Sequence, residues 1–178
     1  SRMDATGDTG SDGEFIPIGY KRMEIMEGSL KFGLWFVYIR WNSECEVSRV
    51  RFIKSEISGP VPVSLSRFLA GKAMDIKPLT SIHQHQEGIY GSIYREVAHI
   101  PYGETRTYKE IAEILGTGPR IVGMAMKRNL TPIIIPCHRV VSSHGIGGFT
   151  PDITIKTDLL NLESRVKKTL KIPAEQSK

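Results

Sequence analysis

The residues best suited to chemistry are a cysteine and a histidine that adjoin in Ile133-Ile-Ile-Pro-Cys-His-Arg-Val-Val141. The thiolate is the nucleophilic form of cysteine, and a neighbouring imidazole or a nearby cation such as Arg139 can lower the pKa of a thiol. Cys137 is therefore a candidate nucleophile and His138 a candidate base. The alternative is a buried, inert cysteine beside a surface histidine. An isolated Cys-His dipeptide favours this inert alternative.

The sequence around this pair favours a reactive site. Pro136 cannot donate to a sheet ladder, so it ends the strand that the apolar run 133–135 predicts and places Cys137 at the mouth of that strand. Just downstream, the loop His144-Gly-Ile-Gly-Gly-Phe-Thr150 can bring backbone amides close to a ligand.

The other cysteine and the histidine pair predict neither a disulfide framework nor a metal site. Cys45 lies in a predicted turn, outside any CxxC pair, and is best explained as an incidental thiol. His83 and His85 have no nearby cysteine to complete a tetrahedral zinc site. We therefore expect no metal. The low cysteine content fits a reducing compartment, either the cytoplasm (associated with the nucleoid) or, in a eukaryote, the nucleus.

Composition and charge narrow the class of protein. The 178 residues are 40% hydrophobic and 24% charged, as in an ordinary globular protein, and the net charge is +5. Residues 1–14 carry −3, so the remainder carries +8, which suits polyanionic partners or, equally, solubility. No run of about 18 apolar residues predicts a membrane span, and no secretory signal is expected.

Two short helices with local start and stop signals follow the chain midpoint. Thr107 with Glu110 three residues later matches a capping box, and the first helix, Tyr108–Leu115, stops at a glycine. A proline opens the second helix, 119–128. The two helices, joined at 116–118, form a helix-turn-helix, which is either a DNA-binding unit or a purely structural helix pair.

The second helix has features that favour DNA. Between Gly118 and Val140 the sequence has no acidic residue and four basic ones, namely Arg120, Lys127, Arg128 and Arg139. Gly123 and Ala125 also give the helix a slim surface, and the minor groove of DNA is only about 6 Å wide.

The first half shows no chemistry of its own. Aromatic and β-branched residues predict strands at Phe32–Trp41 and Val47–Ile53 with a turn at 42–46. Apolar spacing predicts a short helix over 63–72 and an amphipathic helix over about 84–99.

Five segments together resemble the O6-alkylguanine-DNA alkyltransferases, with order and spacing that agree over residues 89–164. Ile135–Val141 resembles the active-site motif of that family. The other matching segments are Tyr102–Tyr108, Pro119–Asn129, Gly145–Phe149 and Lys156–Glu163.

The resemblance implies a DNA repair protein that flips O6-alkylguanine (chiefly O6-methylguanine, and also O4-methylthymine) out of double-stranded DNA. The alkyl group passes irreversibly to Cys137, so each molecule acts once. By the same resemblance His138 is the general base, acting through a water. Glu163 orients its imidazole, and Tyr108 donates a proton or hydrogen bond to the departing guanine. The family also implies a monomer that needs no cofactor and no membrane.

The resemblance further implies a DNA-binding set, in which Arg120 replaces the flipped base in the stack. The remaining residues of this set are Thr107, Gly123, Ala125, Lys127 and Arg128. The implied substrate pocket consists of Asn129, Pro136, Val140, Phe149, Thr150 and Lys156. Taken singly, several of these have plain structural alternatives: a phosphate contact for Arg120, a helix C-cap for Asn129, and a solvated carboxylate for Glu163.

The sequence departs from the family at two positions near these sites. Phe149 stands where many members have tyrosine, which removes a hydroxyl contact but keeps a ring that can stack. Met124 stands where a glycine is usual, which puts the groove affinity in doubt. The basic residues after Glu163 predict a mobile tail that adds nonspecific DNA affinity or merely solubility.

Three other functions remain as alternatives: a non-enzymatic lesion binder, an unrelated Cys-His hydrolase, and a helix-turn-helix regulator with a sensor cysteine. The presence of Cys137 disfavours the lesion binder. The fold expected from the resemblance is α+β, with a small N-terminal α/β domain containing an antiparallel sheet and a mostly helical C-terminal domain. The boundaries are a disordered leader over 1–14, the two domains over 15–80 and 81–166, and a basic tail over 167–178.

Overall fold

A computed structural model of the chain describes residues 7–9, 15–17 and 23–175, with side chains over 23–170. The expected disordered leader, 1–14, lies outside the described residues except for β1, Gly7–Thr9, which pairs antiparallel with β2, Phe15–Pro17. The α+β class is confirmed, with a sheet in the N-terminal half and mainly helices in the C-terminal half.

The N-terminal sheet is an antiparallel meander extended by one short parallel strand. Its order is β3 (Ile25–Phe32), β4 (Trp35–Asn42), β5 (Glu46–Ile53) and β6 (Thr80–Ser81), with β6 parallel to β5. Helix α1, Val63–Leu69, buries Leu65 and Phe68 in the core of this half.

The strand expected over Phe32–Trp41 is wrong at its start. Gly33 adopts a left-handed conformation (φ 59°) and turns the chain between β3 and β4, leaving Leu34 at the tip 85% exposed. Apolar residues continue through this turn, so the sequence pattern gave no sign that the strand is interrupted there.

The C-terminal half contains the helix-turn-helix that the caps predicted. A 3-10 turn, Ile82–His85, precedes α2 (Gly88–Ala98), and β7 (Arg106–Thr107) leads into α3 (Tyr108–Leu115) and α4 (Pro119–Lys127). Strand β8, Val140–Val141, pairs parallel with β7, and α5 spans Ile153–Glu175. Thr107 Oγ1 accepts the Glu110 backbone N–H (3.0 Å), and Gly116 ends α3 with φ 67°.

The apolar run before the cysteine is not a strand, contrary to expectation. Residues 133–134 form a turn closed by a bridge between Pro132 and Ile135, and Ile133 has φ 76°. All three isoleucines are at most 4% exposed, so their apolar character reflects burial on every side and not sheet pairing.

The basic tail is also not the separate extension that was expected. Its residues 167–175 continue α5 without a break, and the final three residues lie outside the described part of the chain. Lys167 packs its aliphatic stem over Gly103, where an added Cβ would come within 2.5 Å of Lys167 Cδ.

Two apolar clusters form the core, and α5 joins the halves. The first cluster combines the sheet and α1 with four residues of α5, namely Ile155, Leu159, Leu162 and Val166. The second cluster combines α2, α3 and α4 with Cys137 and Val140. Phe149 packs against both clusters. Among the described residues no helix has the length and apolar character that crossing a bilayer requires.

Candidate active site

Cys137 opens a single 3-10 turn, Cys137–Arg139, and lines a cavity of about 340 Å³. Its side chain is 7% exposed. The cavity lies between the second helix of the helix-turn-helix and the glycine-rich loop. Other residues that line it include Tyr108, Gly123, Lys127, Asn129, Phe149 and Thr150.

His138, the next residue in the chain after Cys137, belongs to a buried polar network centred on Glu163. His138 Nε2 lies 2.5 Å from Glu163 Oε2. Arg139 donates from Nε to Oε1 (2.8 Å) and from Nη2 to Oε2 (3.0 Å) of the same carboxylate. The Gly103 backbone N–H donates to Oε1 (3.0 Å), and Arg139 Nη1 donates to the Ile100 carbonyl (2.8 Å).

The network fixes the protonation of the imidazole. Burial opposes the charge of Glu163, but hydrogen bonds from His138 and Arg139 and the charge of the Arg139 guanidinium hold its pKa well below the ordinary value. Burial also lowers the pKa of His138, so the imidazole is neutral. An ionised carboxylate can only accept, so Nε2 carries the proton and Nδ1 is left as an acceptor. Nδ1 is buried and has no hydrogen-bond partner among the described residues.

The thiol itself differs from the sequence expectation of a lowered pKa. Burial raises the pKa of Cys137, while the Asn129 side chain, the Lys156 ammonium and the backbone amides of residues 137 and 138 oppose that rise. Arg139 does not help, because its guanidinium is committed to Glu163 and Ile100. The resting thiol is therefore protonated and depends on a base for activation.

Asn129 and Lys156 bind the backbone around the cysteine. Asn129 Nδ2 donates to the Ile135 carbonyl (2.9 Å), and Asn129 Oδ1 accepts the Thr131 backbone N–H (3.0 Å). Lys156 Nζ donates to the carbonyls of Val140 (2.6 Å) and Gly148 (3.3 Å). Lys156 is fully buried, and this burial lowers its pKa to about 8.

Tyr108 and the glycine-rich loop both line the cavity and lie against each other. Burial, and to a smaller extent Cys137, raises the pKa of Tyr108, which keeps its hydroxyl a donor. Gly147 has φ 79°, and a Cβ there would come within 2.9 Å of Tyr108 Oη. A glycine is therefore required at this point of the loop.

The helix-turn-helix presents an open groove that adjoins the cavity. Arg120 is exposed and lines this groove together with Ser142 and Ser143, while Tyr108 and Gly123 line both groove and cavity. Sequence reasoning missed the two serines, although serines directly after the active-site motif and before a glycine-rich loop could have indicated them.

The other expected DNA-binding residues differ in how far their side chains are exposed and in what they contact. Lys127 is exposed, and Thr107 uses its hydroxyl to cap α3. Arg128 is exposed but donates from Nη1 to Tyr90 Oη (3.0 Å). The assignment of Ala125 to the DNA surface is wrong, because its side chain is fully buried in the second core cluster. Pro136 and Val140 are buried beside the cysteine.

Comparisons with known proteins agree with this geometry. The model of the 6-O-methylguanine DNA methyltransferase DNA-binding domain matches residues 89–165. A methylated-DNA–protein-cysteine methyltransferase of Saccharolobus islandicus is 40% identical over 99 residues, which cover 56% of this chain and 64% of that protein. One of Metallosphaera sedula is 37% identical over 110 residues, covering 62% and 68%.

The fold is also found in solved structures. The crystal structure of Mycobacterium tuberculosis OGT in complex with DNA has a TM-score of 0.64 and 27% identity, covering 78% of this chain and 92% of that one. The match to the Saccharolobus protein spans slightly less than two thirds of its length.

Proposed function

The chain belongs to the 6-O-methylguanine DNA methyltransferase family, and we propose that it repairs alkylated DNA by moving an alkyl group from guanine O6 onto Cys137. The observation that carries the proposal is a nearly buried thiol in a cavity that adjoins a helix-turn-helix groove, backed by a His138–Glu163 pair. A helix-turn-helix alone fits many DNA-binding proteins, and a Cys-His pair alone fits many hydrolases. Their contiguity favours chemistry on DNA.

The protonated thiol explains the need for His138. In the proposed reaction, the Cys137 proton passes through a water to His138 Nδ1, whose lone pair is available because Nε2 donates to Glu163. The thiolate sulfur then attacks the alkyl carbon, and the C–O6 bond breaks. Its electron pair stays on the guanine, which takes up a proton to become the ordinary keto base.

Tyr108 is the donor placed to assist the leaving guanine. Its pKa is raised by burial, so the hydroxyl is protonated and can donate to the ring as negative charge develops. Lys156 holds the carbonyls of Val140 and Gly148, and Gly148 lines the cavity that would receive the base. Tyr108 thus acts on the bound base, whereas Lys156 fixes the backbone beside it and its charge also favours the thiolate of Cys137.

Burial of the thiol requires the base to come to the protein. An O6 substituent inside a stacked pair cannot reach a side chain that is 7% exposed in a cavity, so the nucleotide must rotate out of the duplex. We propose that the base enters between Phe149 and Asn129 while the exposed Arg120 occupies its place in the stack. O6-methylguanine is the proposed chief substrate and O4-methylthymine a second one.

The thioether has no route back to a thiol among these groups, so the proposed stoichiometry is one alkyl group per chain. One chain supplies every proposed group, which supports action as a monomer. No cofactor or metal takes part in the proposed steps.

The deciding experiment is intact-mass measurement after incubation with a duplex oligonucleotide that contains one O6-methylguanine. We expect a gain of one methyl group, mapped to Cys137 by peptide sequencing and saturating at one per chain. Cys137→Ser should bind the duplex without gaining mass. Lesion binding by the unsubstituted chain without any mass gain would make it a recognition protein instead. If the chain neither bound the lesion nor gained mass, the proposal would be rejected.

A further inference from the structure

Phe149 forms part of the cavity wall, and its support comes from the N-terminal sheet. Its ring packs edge-on against Phe52 of β5, with ring centroids 5.7 Å apart and planes inclined at 62°. Phe52 is 8% exposed and belongs to the first core cluster, whereas Cys137 belongs to the second. Phe149 is thus a side-chain contact through which the sheet reaches the cavity wall.

The backbone next to Phe149 is held by other elements. Lys156 of α5 donates to the Gly148 carbonyl, and Gly147 lies against the Tyr108 hydroxyl of α3. These contacts fix the path of the loop. They do not fix the position of the Phe149 ring. The side chains that pack behind the ring therefore determine its position and, with it, the width of the cavity.

We propose that Phe52 is a specificity-determining positioning residue, which limits the size of the transferable alkyl group by holding the Phe149 ring in place. The inference rests on the proposed transfer to Cys137. A methyl group adds little to the volume of guanine, whereas a bulkier O6 substituent must share a cavity of about 340 Å³ with the base. Moving Phe149 outward would make room, but Phe52 occupies the space into which the ring would move.

The test is a competition that reads out size preference alone. The protein is mixed with equal, excess amounts of two duplexes, one with O6-methylguanine and one with O6-benzylguanine, and the methylated and benzylated forms are counted by intact mass. Only folded molecules react, so the product ratio does not depend on how much of a variant is folded. We expect Phe52→Ala to raise the benzyl-to-methyl ratio about two- to tenfold, the range that loss of an aromatic pair predicts. Phe52→Leu, which keeps bulk behind Phe149, should stay within about twofold of the unsubstituted protein.

Two further variants separate positioning from general core damage. Phe68→Ala removes a phenylalanine from the same cluster that packs on Tyr102, and it should leave the ratio unchanged. In a Phe149→Ala background, Phe52→Ala should add nothing, because the wall through which it acts is gone.

An unchanged ratio in Phe52→Ala, an equal rise in Phe68→Ala, or a full additional rise in the Phe149→Ala background would each overturn the inference. Failure of the proposed function is a different result, because the unsubstituted protein would then form neither product.

Discussion

Glu163 is the residue on which the buried polar network depends, because it accepts hydrogen bonds from His138, Arg139 and the Gly103 amide. Glu163→Gln removes the charge that fixes the imidazole tautomer and pairs the guanidinium. We expect the single-turnover transfer rate to fall about 10²-fold or more, the usual contribution of a positioned base. Leaving Arg139 buried beside an uncharged partner should also lower the free energy of unfolding by several kcal/mol, about 3–5 for a broken buried pair.

Asp158→Asn is the matched control, since it makes the same change of charge on the exposed face of the same helix. It should retain the transfer rate and should change stability by less than about 0.5 kcal/mol. Equal rates for Glu163→Gln and the unsubstituted protein would exclude the proposed role of the carboxylate.

Lys156 gives a prediction with a definite pH window. Burial lowers its pKa from 10.5 to about 8 in the folded chain, so between these values the unfolded chain binds more protons than the folded one. Stability contributed by this site must therefore rise as the pH rises from about 8 to 10.5. In denaturant titrations at several pH values, the unsubstituted protein should gain stability relative to Lys156→Met across that window. Lys168 lies on an exposed part of α5, so the difference in stability between the unsubstituted protein and Lys168→Met should stay constant over the same pH range.

At the scale of elements, the glycine-rich loop depends on one backbone conformation. Gly147→Ala introduces a Cβ at φ 79° and within 2.9 Å of Tyr108 Oη, so both the loop and the tyrosine must shift. Left-handed backbone costs a non-glycine residue about 1–2 kcal/mol, which corresponds to roughly a tenfold loss of transfer rate if the strain is relieved by opening the cavity.

Gly145→Ala is the control for this loop, because its Cβ meets nothing within 4 Å and its φ lies outside the left-handed region. Affinity for undamaged duplex DNA, measured by fluorescence anisotropy, should be retained in both variants, since Arg120, Ser142 and Ser143 of the groove stay in place and Tyr108 alone among the groove residues shifts. A transfer rate in Gly147→Ala equal to that in Gly145→Ala would contradict the strained-loop argument.

The elements that sequence predicted well are those whose signals are local. Thr107, Gly116 and Pro119 act within their own helices, so α3 and α4 could be placed to within a residue or two. The run Ile133–Ile135 was wrongly predicted to be a strand, because burial on all sides and strand pairing produce the same apolar pattern. The turn at Gly33 was hidden in the same way by apolar residues that continue through it.

The candidate site was less visible in the residues alone. The Cys137–His138 pair could be found from its own chemistry, but Glu163 and Lys156 were found through the family resemblance. Both are far along the chain from the cysteine and are brought to it by α5. The position of Arg139 could not be deduced, because it is two residues from the thiol in sequence yet binds Glu163 in space.

At the scale of the whole molecule, the two halves share a core. Four apolar side chains of α5 pack with the N-terminal sheet and α1, while Glu163 on the same helix binds the network behind the cysteine. The Val50 amide donates to the Leu130 carbonyl (2.9 Å), and Ser81 Oγ lies 2.6 Å from Thr131 Oγ1. A sheet that also supports Phe149 therefore has a part in shaping the cavity.

A shared core predicts that both halves unfold together. The chain's two tryptophans, Trp35 and Trp41, both lie in β4, whereas most helical residues lie in the C-terminal half. Tryptophan fluorescence and far-ultraviolet circular dichroism thus report on different halves, and their denaturant transitions should coincide. Leu159→Ala should move both midpoints down equally, at a cost of about 2–5 kcal/mol, whereas Leu170→Ala, half exposed on the same helix, should move neither appreciably. Two separated transitions would show that α5 does not couple the halves, and the support of Phe149 by the sheet would then be too weak to set the width of the cavity.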